Sequence, residues 1–181
     1  MTFSLTQNIP VLETERLTLR GLRASDFEPF AEFLATDAAR FIGGPCSRVD
    51  AWRRIASYAG AWSLLGFGKF AVEEKASGKF AGVVGPWFPE GWPEPEIAWT
   101  LLGGFQGRGL AAEAASRALR FAYDSLGWTT AVSCMDPLNK PSIALAERLG
   151  ATFEGKTEIK PYGEALLYRH RGPQASQGSR A

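Results

Sequence analysis

The stretch Gln106-Gly107-Arg108-Gly109-Leu110-Ala111 lies between two segments with different apolar patterns. Residues 97–102 have the composition of a strand, and residues 112–126 repeat small and apolar side chains as a helix does. Two glycines at such a turn let the backbone approach a ligand closely. The following helix directs its unpaired N–H groups and the positive end of its dipole toward the turn. The segment therefore predicts an anion site, most often one for phosphate.

The rest of the chain alternates strand and helix patterns, without an internal repeat or an interdomain linker. This alternation predicts one α/β or α+β domain over residues 1–171. Residues 172–181 contain almost nothing apolar, and we expect a disordered tail there. A capping box at residues 25–28 begins the first predicted helix, and the loop 86–95, rich in Pro, Gly and Trp, should not pair in a sheet interior. The other predicted elements are helices at 47–65, 112–126 and 139–149, and strands at 14–20, 69–74, 80–84, 96–102, 129–135, 153–159 and 164–171.

The composition excludes several classes of partner. The 181 residues include 20 basic and 19 acidic ones, and no run of like charges suggests a nucleic-acid partner. No stretch approaches the ~18 apolar residues of a membrane span, and residues 1–7 lack the regions of a signal peptide, so we expect a soluble cytoplasmic protein without a membrane partner. Cys46, Cys134 and the single histidine, His170, show no metal-ligand spacing, so no metal is expected. We expect Cys134 in the core and His170 at the surface.

The glycine turn also satisfies a dinucleotide fingerprint, Gly107-x-Gly109-x-x-Ala112, with Asp136 as a candidate ribose ligand. In that fold the first glycine follows its strand closely, whereas residues 103–106 intervene here. Only one further strand-and-helix unit could follow the turn, and half of a doubly wound sheet does not make a dinucleotide site. The pattern therefore disfavours an NAD-dependent enzyme without removing it as an alternative.

Two segments resemble the GNAT superfamily of acyl-CoA-dependent N-acyltransferases. The spacing Gln106-x-x-Gly109-x-Ala111 after a strand resembles the pyrophosphate loop of that superfamily. Residues 136–151 are similar to the segment that begins with Asn, places a small residue three positions on, and closes with Gly. The opening residues 12–20 and the strand 96–101 resemble the ribosomal-protein N-terminal acetyltransferase group. The predicted order of elements is also that of the GNAT fold.

The resemblance implies a mixed, mostly antiparallel central sheet with splayed central strands and flanking helices. It also implies acetyl-CoA as the acyl donor, with the pyrophosphate at the glycine loop and the pantetheine arm against the splayed strand and Asn139. A free backbone N–H for the thioester oxygen would fall around residues 101–103. The implied coenzyme-binding residues are Leu101, Leu102, Gly103, Gln106, Gly107, Arg108, Gly109, Leu110, Ala111, Asn139 and Ser142.

Acetyl transfer to an amine requires a neutral amine, a polarised carbonyl and a proton for the leaving thiolate. Glu96, at the start of the central strand, is the candidate base, although a solvent-exposed strand end is an equal interpretation and Glu94 lies nearby. Many family members carry Tyr as the acid where this chain has Ala146. Ser142 is the nearest hydroxyl and the candidate substitute, or it is simply the third residue of a helix.

Four aromatic residues, Trp87, Phe88, Trp92 and Trp99, cluster in and after the proline-rich loop. We expect Trp87 and Trp99 to contact the acceptor through apolar or cation–π contacts, unless they are core residues.

The sequence thus predicts an N-acetyltransferase that acts on a primary amine of a small molecule or of a protein N-terminus, by direct attack in a ternary complex. A non-catalytic acyl-CoA-binding module is the alternative from another class. Dimerisation through the C-terminal strands or the aromatic loop is compatible with the sequence and not established by it.

Overall fold

The computed structural model describes residues 8–160 and 162–173. In this part of the chain eight strands form one sheet in the order β1-β2-β3-β4-β5-β6-β8-β7. The strands are β1 (Leu12–Glu13), β2 (Leu17–Arg20), β3 (Phe70–Glu74), β4 (Lys79–Trp87), β5 (Glu96–Leu101), β6 (Thr130–Met135), β7 (Thr152–Ile159) and β8 (Gly163–Arg171). The helices are α1 (Phe27–Leu34), α2 (Arg48–Leu65), α3 (Leu110–Asp124) and α4 (Lys140–Arg148).

Neighbouring strands are antiparallel except β5 and β6, which are parallel. The chain between them crosses over through α3, because parallel neighbours cannot be joined by a tight turn. These two strands share a single paired position, Glu96 with Val132, and they separate beyond it. The separation confirms the predicted fold class: a mixed, mostly antiparallel sheet with splayed central strands.

The sheet buries both faces, as the alternation of side chains along its strands requires. Ala71 and Val83 belong to an apolar cluster with α1 and α2. Phe70, Val72 and Val84 belong to a second cluster with α3 on the other face. Alanines at 114, 115, 118 and 122 form the buried stripe of α3, and their small size lets this helix lie close to the strands that precede the glycine loop.

Two predicted details at the N-terminal end are wrong. Of the strand predicted at 14–20, only Leu17–Arg20 forms a strand, β2, because Thr14 turns the chain by bonding the backbone of Leu17 and so pairs β2 with β1 as a hairpin. Asp26, rather than Ser25, makes the capping contact, since its carboxylate accepts the Arg23 N–H at 2.8 Å. The same carboxylate is held by both terminal nitrogens of Arg20, which ties the helix start to β2.

The prediction that residues 86–95 stay outside the sheet is also wrong at its start, because Pro86 and Trp87 pair with Ile97 and Glu96. Proline is tolerated here for a geometric reason. The alternation of bonds along β4 directs the Pro86 nitrogen toward β3, whose pairing with β4 begins only at Phe70. No ladder hydrogen bond is lost, and the longer β4 brings Trp87 beside Glu96.

The N-terminal segment 1–7 and all of the predicted tail except Gly172 and Pro173 lie outside the described residues. No helix in the described part of the chain is long and apolar enough to cross a membrane. Over the same residues, no group of three or more His, Cys, Asp or Glu side chains is placed to hold a metal ion.

Candidate active site

The split between β5 and β6 is held by a buried hydrogen-bond chain. The Ser133 hydroxyl donates to the Ile97 carbonyl oxygen at 2.6 Å, next to the last paired position of the two strands. Ser133 Oγ also lies 2.9 Å from His170 Nε2. Because the single hydroxyl proton is used on Ile97, Nε2 carries the ring proton and donates it to Ser133. His170 is buried on β8, so the predicted surface position is wrong.

Two cavities open where the strands separate. One, of about 580 Å³, lies between the glycine loop and α4. The other, of about 780 Å³, lies over the start of β5 and the end of β6. Both are lined by the same seven residues at their junction: Arg40, Phe41, Ile42, Trp99, Thr100, Asn139 and Ser142. We call the first the loop cavity and the second the acidic cavity, after Glu96 in its wall.

The glycine loop presents a run of unpaired N–H groups to the loop cavity. Gly107 and Gly109 adopt φ angles of +72° and +77°, a conformation that side chains other than glycine rarely take. Gly109 is the N-cap residue of α3 and has no side chain to cap it. Within the described residues, the N–H groups of residues 107–112 donate to no other group. Such a run at a helix N-terminus suits a phosphate or pyrophosphate.

Contacts outside the cavity fix the shape of this loop. Arg16 Nη1 donates to the Arg108 carbonyl at 3.0 Å, and its Nε contacts Glu113 in the first turn of α3 at 2.7 Å. The Arg108 side chain forms an ion pair with Glu74 at the end of β3. Arg108 is therefore available to an anion through its backbone, while its charge is directed away from the cavity.

The open edge of β5 can be read from its hydrogen bonds. The Leu102 N–H bonds the Ala81 carbonyl on the β4 side at 2.9 Å, so it is not the free donor expected around residues 101–103. Alternation then directs the backbone N–H groups of Trp99 and Leu101 toward the split. The Gln106 side-chain amide donates to the Leu101 carbonyl at 2.7 Å and so braces the loop against the strand.

The start of α4 faces both cavities. The Asn139 side chain caps the helix by accepting the Ser142 N–H at 3.3 Å, with the following Pro141 in the first turn. Ser142 Oγ accepts a hydrogen bond from the Trp99 indole at 3.2 Å, and no described residue accepts the hydroxyl proton. Trp99 therefore lies at the junction and contacts Ser142, rather than lining the acidic cavity alone.

Ala146, at the position where many family members have Tyr, is fully buried against Met135, Ala151 and Tyr168. No acid can act from this position. Ser142 is then the hydroxyl of α4 that both cavities share.

Glu96 lies in the wall of the acidic cavity and is only 5% exposed, so the interpretation of a solvent-exposed strand end is wrong. Its Oε2 atom has no hydrogen-bond partner among the described residues. Burial raises the pKa of Glu96, and the charge of Lys69 opposes that increase. Glu94 differs, since both of its carboxylate oxygens are held by Arg169, at 2.7 and 2.8 Å.

Aromatic rings form much of the acidic cavity. Trp87 packs edge-on against Tyr58 at 5.0 Å and against Trp92 at 6.4 Å, measured between ring centroids. Trp92 in turn meets Tyr162, from the β7–β8 turn, at 5.9 Å. Phe88 is 36% exposed and does not line the cavity.

The sequence did not single out Lys69, which is buried just before β3 and lines the same cavity. Its ammonium lies 4.4 Å from the ring centroid of Tyr58 and 4.9 Å from that of Trp87. Burial lowers the pKa of Lys69 to about 8, although the charge of Glu96 opposes the decrease. Cys134 also lines the cavity instead of belonging to the core, and burial raises the pKa of its thiol.

The glycine turn with its unpaired N–H groups and the acidic cavity meet across the split sheet. The sequence model of the acetyltransferase (GNAT) domain matches residues 16–152. The crystal structure of an acetyltransferase from Agrobacterium tumefaciens is 33% identical, with a TM-score of 0.84, over 94% of this chain and 99% of that chain. The chain belongs to the GNAT acetyltransferase family, and the predicted family and enzyme class are confirmed.

More distant structures share the fold alone. Ribosomal-protein-S5-alanine acetyltransferase from Vibrio fischeri is 17% identical, with a TM-score of 0.70, over 91% of this chain and 97% of that chain. RimL, a ribosomal L7/L12 alpha-N-protein acetyltransferase in complex with coenzyme A, is 19% identical, with a TM-score of 0.71, over 90% and 98%. Fold neighbours thus include ribosomal-protein acetyltransferases, as the N-terminal sequence suggested.

Proposed function

We propose that this protein transfers the acetyl group of acetyl-CoA to a primary amine, by direct attack in a ternary complex. The observation that carries the proposal is the junction of the two cavities. The unpaired N–H groups of the glycine loop lie at one end, and the buried carboxylate of Glu96, whose Oε2 atom has no partner in the described residues, lies at the other. A thioester in the loop cavity and an amine in the acidic cavity would meet at the split between β5 and β6.

The coenzyme fits the loop cavity by charge and by hydrogen bonding. Backbone N–H groups from Gly107 to Ala112 suit the pyrophosphate. The open N–H groups of Trp99 and Leu101 suit the pantetheine amides and the thioester oxygen, with Asn139 on the opposite side. A donor aimed at the oxygen stabilises the charge that develops there as the amine attacks.

Glu96 is the proposed base. An amine with a pKa near ~10 is mostly protonated at neutral pH and must lose a proton to attack. A carboxylate with a raised pKa accepts that proton more readily than an exposed one, and Lys69 helps keep it ionised before the amine arrives. Glu96 takes the ammonium proton before attack, directly or through water, and later releases it to solvent. As the C–N bond forms and the C–S bond breaks, Ser142 gives its proton to the departing sulfur and takes the second proton from the former amine nitrogen.

Ser142 is the proposed donor to the leaving thiolate. Its hydroxyl faces the junction and accepts a bond from Trp99, which favours donation of its own proton in the other direction. The thiol has a pKa near ~8.5, so a weak acid suffices. This assignment explains how the enzyme could work with Ala146 in place of an acid.

Isothermal titration of the purified protein with acetyl-CoA and with NAD tests the donor. We expect saturable acetyl-CoA binding and no NAD response, and the opposite result would refute the proposal. A screen of primary amines and N-terminal peptides for thiol release then tests transfer. The Glu96→Gln variant should bind acetyl-CoA and lose turnover, and Glu90→Gln, an exposed carboxylate at the cavity rim, serves as the matched control. Acetyl-CoA binding without turnover of any amine would favour the non-catalytic module.

A further inference from the structure

Lys69 is a buried cation whose hydrogen bonds are unfilled. Its side chain is 6% exposed, and the ammonium makes no hydrogen bond and no direct ion pair with any described residue. Its contacts are the faces of Tyr58 and Trp87. An ammonium has three donors, and rings satisfy its charge without accepting all of its N–H bonds. The site therefore lacks an oxygen acceptor on its cavity side.

The sheet register explains why Glu96 does not fill that role. Phe70 pairs with Val84, so Lys69 extends the ladder opposite Gly85, whose own partner is Ala98. Glu96 lies opposite Trp87, one pair further along the same face. Lys69 and Glu96 thus lie on one face of the sheet, on different strands, and both line the acidic cavity together with Ala98.

Gly85 lets the segment before β3 approach β4 closely. It has a φ of +151°, and a Cβ there would lie 3.0 Å from the Gly68 carbonyl oxygen and 3.2 Å from the Lys69 Cα. A side chain would therefore strain the backbone and displace the segment that carries Lys69.

Trp92 adds a second unfilled donor to the same cavity. Its indole Nε1 is buried and has no partner in the described part of the chain. Buried polar atoms without partners are uncommon, because each one costs free energy. Glu96 Oε2 is likewise buried without a partner, and the indole lies near enough to this carboxyl to oppose the increase in its pKa. Both residues line the cavity that Lys69 also lines.

We propose that the acceptor is a small amino-acid-like zwitterion, whose amine faces Glu96 and whose carboxylate is bound by Lys69 and Trp92. The inference rests on the proposed function and names its substrate class. The aromatic walls suit an apolar side chain on this molecule. A protein N-terminus places a neutral carbonyl where the carboxylate would be, and so leaves the charge of Lys69 uncompensated.

The rim of the cavity agrees with a small acceptor. The Tyr162 ring packs against Trp92, and a Cβ on Gly43 would lie 2.8 Å from Tyr162 Cε1. Three segments that are distant in sequence therefore meet in the wall of the acidic cavity. A polypeptide acceptor would have to pass between them.

Three matched amines test the inference: L-phenylalanine, L-phenylalaninamide and phenethylamine, which share a phenyl ring and differ in the carboxylate. We expect wild-type kcat/KM to be highest for phenylalanine, by about ten- to hundredfold over phenethylamine, as for a charged hydrogen bond. Lys69→Met keeps the length of the side chain. It should slow all three amines through the loss of its charge beside Glu96, and it should bring the kcat/KM ratio of phenylalanine to phenethylamine close to one. Trp92→Phe should lose part of the preference for phenylalanine, and Lys79→Met, at an exposed lysine outside the cavity, should keep it.

The outcomes separate this inference from the proposed function. Amine turnover that ignores the carboxylate, or a preference that survives in Lys69→Met, overturns the inference and leaves the acetyltransferase intact. If no amine is acetylated, binding of 3-phenylpropionate to the coenzyme A complex tests the anion site directly. Tryptophan fluorescence monitors this binding. Binding to wild type that is lost in Lys69→Met supports the anion site, and equal or absent binding refutes it.

Discussion

His170 is the only histidine of the chain, so one substitution isolates its titration. Burial lowers the pKa of His170 from 6.5 to about 4. Between these values the unfolded chain binds a proton that the folded chain does not. The free energy of unfolding must therefore decrease as the pH is lowered through this window, and the contribution is fully restored above it. The cause is structural, because Nδ1 is buried without a partner and a second ring proton there would have no acceptor.

The size of the effect follows from the shift. A difference of about 2.5 pKa units corresponds to ~3.4 kcal/mol, reached only below about pH 4. Between about pH 7.5 and about pH 5, the same linkage relation gives a loss of about 2 kcal/mol. This is a large fraction of the stability of an ordinary domain.

Urea unfolding of wild type and His170→Gln, followed by the fluorescence of the six tryptophans, measures this loss. Glutamine can still donate to Ser133 and does not titrate. Glu96 has the opposite sign, since its raised folded pKa makes stability fall as the pH rises through its titration, but it is present in both proteins and cancels in their difference. We expect the wild-type curve to fall about 2 kcal/mol more than the variant between about pH 7.5 and about pH 5. If the free energies of unfolding of wild type and His170→Gln change equally with pH, His170 is not a buried neutral base.

Three further predictions concern the active site. Glu96→Gln should lower kcat by about a hundredfold or more. It should also abolish the decrease of kcat/KM at low pH, because a base with a raised pKa loses its charge as the pH falls. If kcat/KM of the variant still decreases at low pH, another group causes that decrease. Gly109→Val should weaken coenzyme A binding at least about tenfold in calorimetry. Gly78→Val, with a similar φ of +66° in a distant turn, should lower the stability and leave the affinity unchanged. Equal affinities of wild type and Gly109→Val for coenzyme A would remove the loop from the site. Ser142→Ala should slow turnover at neutral pH, and the factor by which it slows should decrease above the thiol pKa of ~8.5. If that factor is the same at every pH and Trp99→Phe gives the same one, Ser142 is only a structural partner of the Trp99 indole.

The coenzyme side of the site was predictable because its parts are contiguous in sequence. Strand, glycine turn and helix follow one another from Glu96 to Asp124, and the N–H groups that we propose as the anion site belong to the turn itself. Asn139 likewise begins the helix that it caps. In such segments local backbone chemistry determines the geometry, so patterns of a few residues suffice.

The acceptor side was less predictable because its residues come from separate strands. Lys69 precedes β3 and has no local pattern that separates it from an exposed lysine; only the register with β4 and β5 places it in the cavity. His170 lies near the end of the last strand, which usually means exposure. Here β8 inserts between β6 and β7, so its residues become interior to the sheet.

The absence of an acid at position 146 and the burial of Glu96 in the cavity wall are consistent with one mechanism. In the proposed mechanism the amine must be neutral before it attacks the thioester, and the buried carboxylate of Glu96 is the group that we propose for this step. Departure of the thiolate is the easier step, because coenzyme A leaves with a thiol pKa near ~8.5 and needs only partial protonation. The small side chain of Ala146 lets α4 pack onto Met135 and Tyr168. Ser142, in the first turn of the same helix, then lies at the junction of the two cavities. The proposed mechanism therefore places the buried charges of Glu96 and Lys69 where proton removal is difficult, and uses the Ser142 hydroxyl where proton donation is easy.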